Sequence, residues 1–207
     1  MEPTDQNRRA WDAFHRPLER PAPGLPAAVE GRLPGLEGKH VLHLGCGTGE
    51  ATAELAGLGA LVTGVDASAK AVAAARERAP AVAFVHGDPS QLPLELRRGR
   101  FDLVYTGLGD LLDAWAAGIA SALRTGGELL LYDEHPVLGC LDEMLHWRED
   151  YFAEGRRRVG EVVTALVAAG LALRSLEELP AASQLLPQTR RVPGELLVTA
   201  RKLSARS

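Results

Sequence analysis

His40-Val41-Leu42-His43-Leu44 is an apolar run that enters three alternating glycines, Gly45-Cys46-Gly47-Thr48-Gly49, and then a helical stretch opening at Glu50. This strand, turn and helix constrain the fold more than any other part of the chain. Glycines at every second position let the backbone turn sharply and approach a ligand, because a Cβ at any of them would occupy that space. The helix expected over 50–58 aims its free N–H groups at the same place, which favours a carboxylate or ribose oxygens. A nucleotide-like cofactor is the expected guest. A dinucleotide fingerprint, G-x-G-x-x-G/A, needs Gly or Ala where this chain has Glu50, so a nicotinamide dehydrogenase is disfavoured.

With 207 residues the chain is long enough for one full core and too short for two of ordinary size, so a single domain over 1–207 is expected. No apolar run reaches membrane-spanning length, and Met1-Glu2-Pro3-Thr4-Asp5 lacks the basic and apolar regions of a signal peptide, so the cytoplasm is expected and no membrane partner. A net charge of −4 argues against a nucleic-acid partner. The basic runs Arg97-Arg98-Arg100, Arg156-Arg157-Arg158 and Arg190-Arg191 read as solvated loops. Cys46 and Cys140 lack metal-ligand spacing and imply neither a metal site nor a disulfide framework. Nothing in the chain indicates an oligomeric state.

Residues 1–38 read as a leading segment. Trp11, Phe14 and Leu18 share a face of a short helix over 4–18, and five prolines among 17–38 make an irregular connection with a short helix at Ala27 to Arg32. From residue 40 the pattern alternates: strand 40–44, helix 50–58, strand 61–66, helix 68–79, strands 82–86 and 101–105, helix 110–124, strand 128–134. That rhythm implies a parallel α/β sheet with helices on both faces. A further helix carries Val159, Val162, Val163, Leu166 and Val167 on one stripe, and Gly126-Gly127 and Gly170 are expected to close the last two helices. Strands 171–177 and 195–201, with no helix between them, suit an antiparallel hairpin at the sheet edge.

The second strand ends in Asp66, where a parallel neighbour would bring a carboxylate beside the bound nucleotide to accept from both ribose hydroxyls. The third ends in Gly87-Asp88-Pro89, where Asp88 is placed to accept from an adenine amine or, more plainly, to open an Asx turn.

These pieces, with Phe101-Asp102-Leu103-Val104-Tyr105 and Leu123-Arg124-Thr125-Gly126-Gly127-Glu128-Leu129-Leu130-Leu131, resemble the ordered motifs of class I S-adenosylmethionine-dependent methyltransferases over roughly residues 40 to 135. The resemblance implies a three-layer Rossmann-like α/β sandwich: a seven-stranded, mostly parallel sheet with the last strand antiparallel. It implies S-adenosyl-L-methionine as cofactor, with Gly45, Cys46, Gly47 and Gly49 at its methionine end. Asp66 and Ala67 would then meet the ribose, Asp88 and Pro89 the adenine, and Tyr105 and Thr106, at the end of the fourth strand, the methyl donor. The chain departs from the family at His43, where Asp or Glu is usual, so a hydrogen bond can be kept there but not the charge.

Displacement at a sulfonium methyl needs alignment more than a catalytic group, but a hydroxyl or ammonium acceptor also needs a base. The candidates follow the fifth strand, Asp133, Glu134 and His135, and His135 titrates nearest neutrality. Residues 136–158, with Leu138, Leu141, Met144, Leu145, Trp147, Tyr151 and Phe152, read as a substrate-side insertion whose apolar side chains wall a pocket for a small-molecule acceptor. The sequence does not choose among oxygen, nitrogen, carbon and sulfur as the methylated atom. A non-catalytic protein that binds S-adenosylmethionine or S-adenosylhomocysteine is the alternative.

Overall fold

A computed structural model describes residues 24–141, 146–180 and 192–204. The helix expected over 4–18, the side chains of Met144 and Leu145, and most of the loop 180–194 lie outside them. Seven strands form one sheet: β1 (His40–Leu44), β2 (Leu61–Asp66), β3 (Ala83–His86), β4 (Phe101–Thr106), β5 (Leu123–Glu134), β6 (Leu171–Pro180) and β7 (Pro193–Lys202). Their order is β3-β2-β1-β4-β5-β7-β6. The strands from β3 through β5 are parallel, and β7 is antiparallel to both β5 and β6. The sequence-based reading of a mostly parallel sheet ending in an antiparallel hairpin is correct.

Helices α1 (Ala27–Glu30) and α2 (Glu50–Gly57) cover one face, where Val29 and Leu55 pack on Val41, Leu103 and Leu130. Helices α4 (Leu112–Ala122) and α5 (Val159–Ala168) cover the other, where Trp115, Ile119, Val162 and Leu166 pack on Leu42, Val104 and Leu129. Between them in sequence, α3 (Ala69–Arg78) sets Val72 and Ala75 against Phe84 and Cys46. The central strands are buried on both faces, so they read as continuous apolar runs rather than alternating ones. No helix among the described residues is long and apolar enough to cross a membrane.

One expectation fails at the end of α4. The helix stops at Ala122, because Leu123 is extended (φ −67°, ψ 136°) and already pairs with Phe101. Gly126 and Gly127 therefore do not cap a helix. They stand in an irregularity of β5, where a Cβ at Gly127 would lie 2.9 Å from the Phe101 carbonyl oxygen. Gly170, by contrast, follows α5 with φ 83°, the left-handed turn that ends a helix.

Candidate functional site

The strand order reverses between β1 and β4, and ligands of open α/β sheets bind at that crevice, beyond the carboxyl ends of the strands. A cavity opens there, with about 670 Å³ of space including its open mouth.

The turn after β1 forms its floor. Gly45 N–H and Cys46 N–H both donate to the Val65 carbonyl, at 2.8 and 3.1 Å, which fastens the turn to the end of β2. Gly45 has φ +72°, and a Cβ built on it would meet no atom of the described residues beyond its chain neighbours within 4 Å. The space in front of it is therefore not needed for packing; it belongs to the cavity, as expected of a backbone that meets a ligand. Gly49 differs. Its φ is +87°, but its Cβ would lie 2.9 Å from Ala75 Cβ, so this glycine lets α2 and α3 approach and does not line the cavity.

Asp66 is the hinge of the arrangement. The residue is 5% exposed and lines the cavity. Oδ2 accepts from Gly47 N–H at 2.8 Å and Oδ1 from Ser68 N–H at 2.8 Å, while the Ser68 hydroxyl caps α3 by accepting from Ala71 N–H at 3.2 Å. A carboxylate offers about four acceptor positions, so two backbone donors leave capacity for two ribose hydroxyls. Asp88 accepts from Ser90 N–H at 2.8 Å through Oδ1, the Asx turn that the sequence allowed, and it lines the same cavity with Ala67 and Pro89. The structure thus brings Gly45, Gly47, Asp66, Ala67, Asp88 and Pro89 onto one wall.

Three expected residues are not on that wall. The Cys46 side chain packs with Val72, Ala75 and Phe84, and burial first and the Asp66 charge second push its thiol pKa up, so it is an unreactive filler. Gly49 serves helix packing, as above. Tyr105 points to the opposite sheet face, among Val41, Leu103 and Leu130, with its ring 4.8 Å from that of His43. Burial raises its pKa to about 12. Strand alternation explains the correction: Leu44 and Thr106 are register partners facing the cavity, and His43 and Tyr105 are partners facing away.

His43 is buried beside Thr52, with Nδ1 2.7 Å from Thr52 Oγ1. Burial lowers its pKa to about 4, so the ring is neutral near neutrality. It keeps a hydrogen bond but carries no charge there.

The sequence reading missed the far wall. The turn Gly107-Leu108-Gly109-Asp110 after β4 borders the cavity, with Trp115 behind it, 1% exposed, and Ser90 across from it. Trp115 Nε1 donates to Thr106 Oγ1 at 3.4 Å, so this core residue of α4 also fixes the cavity's edge. Asp133 holds the turn in place, since its Oδ2 accepts from Leu108 N–H at 2.7 Å. A glycine-rich turn at the carboxyl end of a central strand was the available signal.

A second cavity shares Leu108 and Asp133 with the first and continues along Glu134, His135, Arg156 and Arg157. His135 is buried, its Nε2 2.9 Å from Glu178 Oε1 on β6, and its Nδ1 accepts from Val137 N–H at 3.2 Å. Both ring nitrogens are therefore engaged. Among the described residues of 136–158, Trp147 and Phe152 are 61% and 71% exposed, and polar groups border this cavity. Nor do Arg156 and Arg157 lie loose in solvent. Arg156 Nη1 donates to the Gly139 carbonyl at 2.8 Å, and Arg157 Nη1 to that of Leu108 at 3.2 Å.

A three-layer α/β domain with a glycine turn and two strand-end carboxylates around one crevice is a binding domain for a nucleotide-type cofactor. A methyltransferase domain model matches residues 41–127. An uncharacterised methyltransferase of Synechocystis is 38% identical over 104 residues, 47% of this chain and 48% of its own length. The 27-O-demethylrifamycin SV methyltransferase of Amycolatopsis mediterranei is 33% identical over 134 residues, 59% of this chain and 48% of its own. The chain thus spans about half the length of these curated relatives. A crystal structure of an S-adenosylmethionine-dependent methyltransferase from Mesorhizobium loti aligns with TM-score 0.70 and 27% identity, covering 84% of this chain and 96% of that one. Residues 41–127 match a methyltransferase domain, and the fold and crevice of the described region are similar to those of S-adenosylmethionine-dependent methyltransferases.

Proposed function

We propose that the protein transfers the methyl group of S-adenosylmethionine to a small-molecule acceptor. The observation that carries this reading is Asp66, which is tied to Gly47 N–H and still faces the cavity with acceptor capacity. In it, Gly45 and Gly47 border the amino-acid end of the cofactor, Asp66 and Ala67 the ribose, and Asp88 and Pro89 the adenine. The cofactor supplies an electrophilic methyl group on a sulfonium, whose displacement depends on alignment. Thr106, Trp115 and the Asp133-anchored turn Gly107–Asp110 shape the edge where an acceptor enters. The adjoining cavity opens beside that edge, and the Amycolatopsis relative is named for a small-molecule acceptor. We keep the whole chain as one domain and the cytoplasm as its compartment, which two free buried cysteines support.

His135 is not assigned as a base in this reading, because Val137 N–H occupies one ring nitrogen and Glu178 the other. A second reading, a protein that binds the cofactor without transferring its methyl group, is favoured by neutral His43 in place of the family's carboxylate. Incubation with a metabolite extract and methyl-labelled S-adenosylmethionine separates the two. Label in a small-molecule product supports transfer; binding of S-adenosylhomocysteine with no labelled product at any pH supports the second.

A further inference from the structure

The far wall of the second cavity is formed by Arg156 and Arg157. Their carbonyl contacts to Gly139 and Leu108 hold both guanidinium groups in place. A guanidinium presents five N–H donors in a planar fork suited to carboxylate or phosphate, so these contacts leave donors to spare. The acidic partners, Glu149 at 3.3 Å from Arg156 and Asp110 at 3.5 Å from Arg157, have side chains 60% and 42% exposed and do not border this cavity. Exposed pairs of that kind are weak and give way to a better-placed anion. Asp133, on the wall shared with the first cavity, directs its two oxygens to Leu108 N–H and Glu134 N–H. Glu134, the other acidic group there, is exposed at the strand end.

We propose that the acceptor carries an anionic group, a carboxylate or a phosphate, that seats on Arg156 and Arg157 while its reacting atom points past Leu108 and Asp133 toward the first cavity. The proposal rests on reading the first cavity as the S-adenosylmethionine site.

The test fractionates a metabolite extract by anion exchange and incubates each fraction with the full-length protein and methyl-labelled S-adenosylmethionine. Label is expected only from the anionic fraction. Phosphatase treatment beforehand separates the two sources: a carboxylate acceptor keeps its label and a phosphate ester loses it. Arg156→Gln and Arg157→Gln should each raise KM for the labelled acceptor at least tenfold, with S-adenosylhomocysteine affinity unchanged within twofold and Arg157→Lys intermediate. Label from the neutral or cationic fraction, or an unchanged KM in folded variants, overturns the proposal and leaves the transfer reading standing. No label from any fraction, with S-adenosylhomocysteine still bound, overturns both.

Discussion

Asp66 Oδ2 accepts the Gly47 backbone N–H at 2.8 Å, so the carboxylate at the end of β2 holds the turn that leaves β1. The same side chain accepts from Ser68 N–H, which joins the glycine turn to the start of α3. Replacing it by Ala leaves two backbone donors without an acceptor in a largely buried place, at about 1–3 kcal/mol each. Asp66→Ala should therefore lower the melting temperature of the ligand-free protein by several degrees. Asp66→Asn, which keeps one carbonyl oxygen, should fall between. Scanning calorimetry of the three proteins checks this, and equal melting temperatures would show that the contacts do not support the turn.

The glycines of the turn should separate by experiment. Gly45→Ala puts a methyl group into open cavity at a left-handed φ, which costs roughly 1–2 kcal/mol and obstructs the ligand. Gly49→Ala drives a methyl group to 2.9 Å from Ala75 Cβ, which strains the α2–α3 contact instead. The first variant should lose cofactor affinity at least tenfold with modest destabilisation. The second should lose mainly stability, as read by urea unfolding beside ligand titration.

His43 makes folding sensitive to acid. Its folded pKa of about 4 lies below the unfolded 6.5, so between those values the unfolded chain binds more protons and stability rises with pH. The contribution is complete above about pH 6.5 and is lost as pH falls toward 4, a loss of about 3 kcal/mol at most. His43→Asn, which keeps a polar atom near Nδ1 but does not titrate, should flatten that part of the curve. Urea midpoints from pH 4 to 7 for both proteins read it out, and an unchanged slope would mean that His43 is not the group responsible.

His135 anchors the exit of β5. Its backbone N–H donates to the Gly194 carbonyl at 2.9 Å and its ring reaches Glu178, so it ties that strand end to β7 and β6. His135→Ala should lower the melting temperature and reduce turnover less than tenfold, with the limb of the pH–rate profile near neutrality kept. A fall of a hundredfold or more together with loss of that limb would instead identify a general base.

Most of the fold could be read from the chain because buried parallel strands and amphipathic helices alternate over most of residues 40–134. The end of α4 could not, since pairing of Leu123 with Phe101 overrides the glycine signal three residues later. That Asp66 and Asp88 border one crevice was legible because strand ends converge there. Tyr105 and Thr106 could not be told apart from the sequence, and parity along β4 puts Thr106 of the two on the cavity side. The arginines after Phe152 carry no periodic signal, and only tertiary contacts to Gly139 and Leu108 bring them beside the cavity.

The most direct measurement is calorimetric titration of the wild-type protein with S-adenosylhomocysteine at two temperatures, beside Asp66→Ala and Asp88→Ala. One molecule should bind per wild-type chain, Asp66→Ala should bind at least tenfold more weakly, and Asp88→Ala should also be weakened. A folded wild type that gives no heat at either temperature, or variants that bind as tightly as the wild type, would contradict the assignment of the crevice between β1 and β4 as the cofactor site.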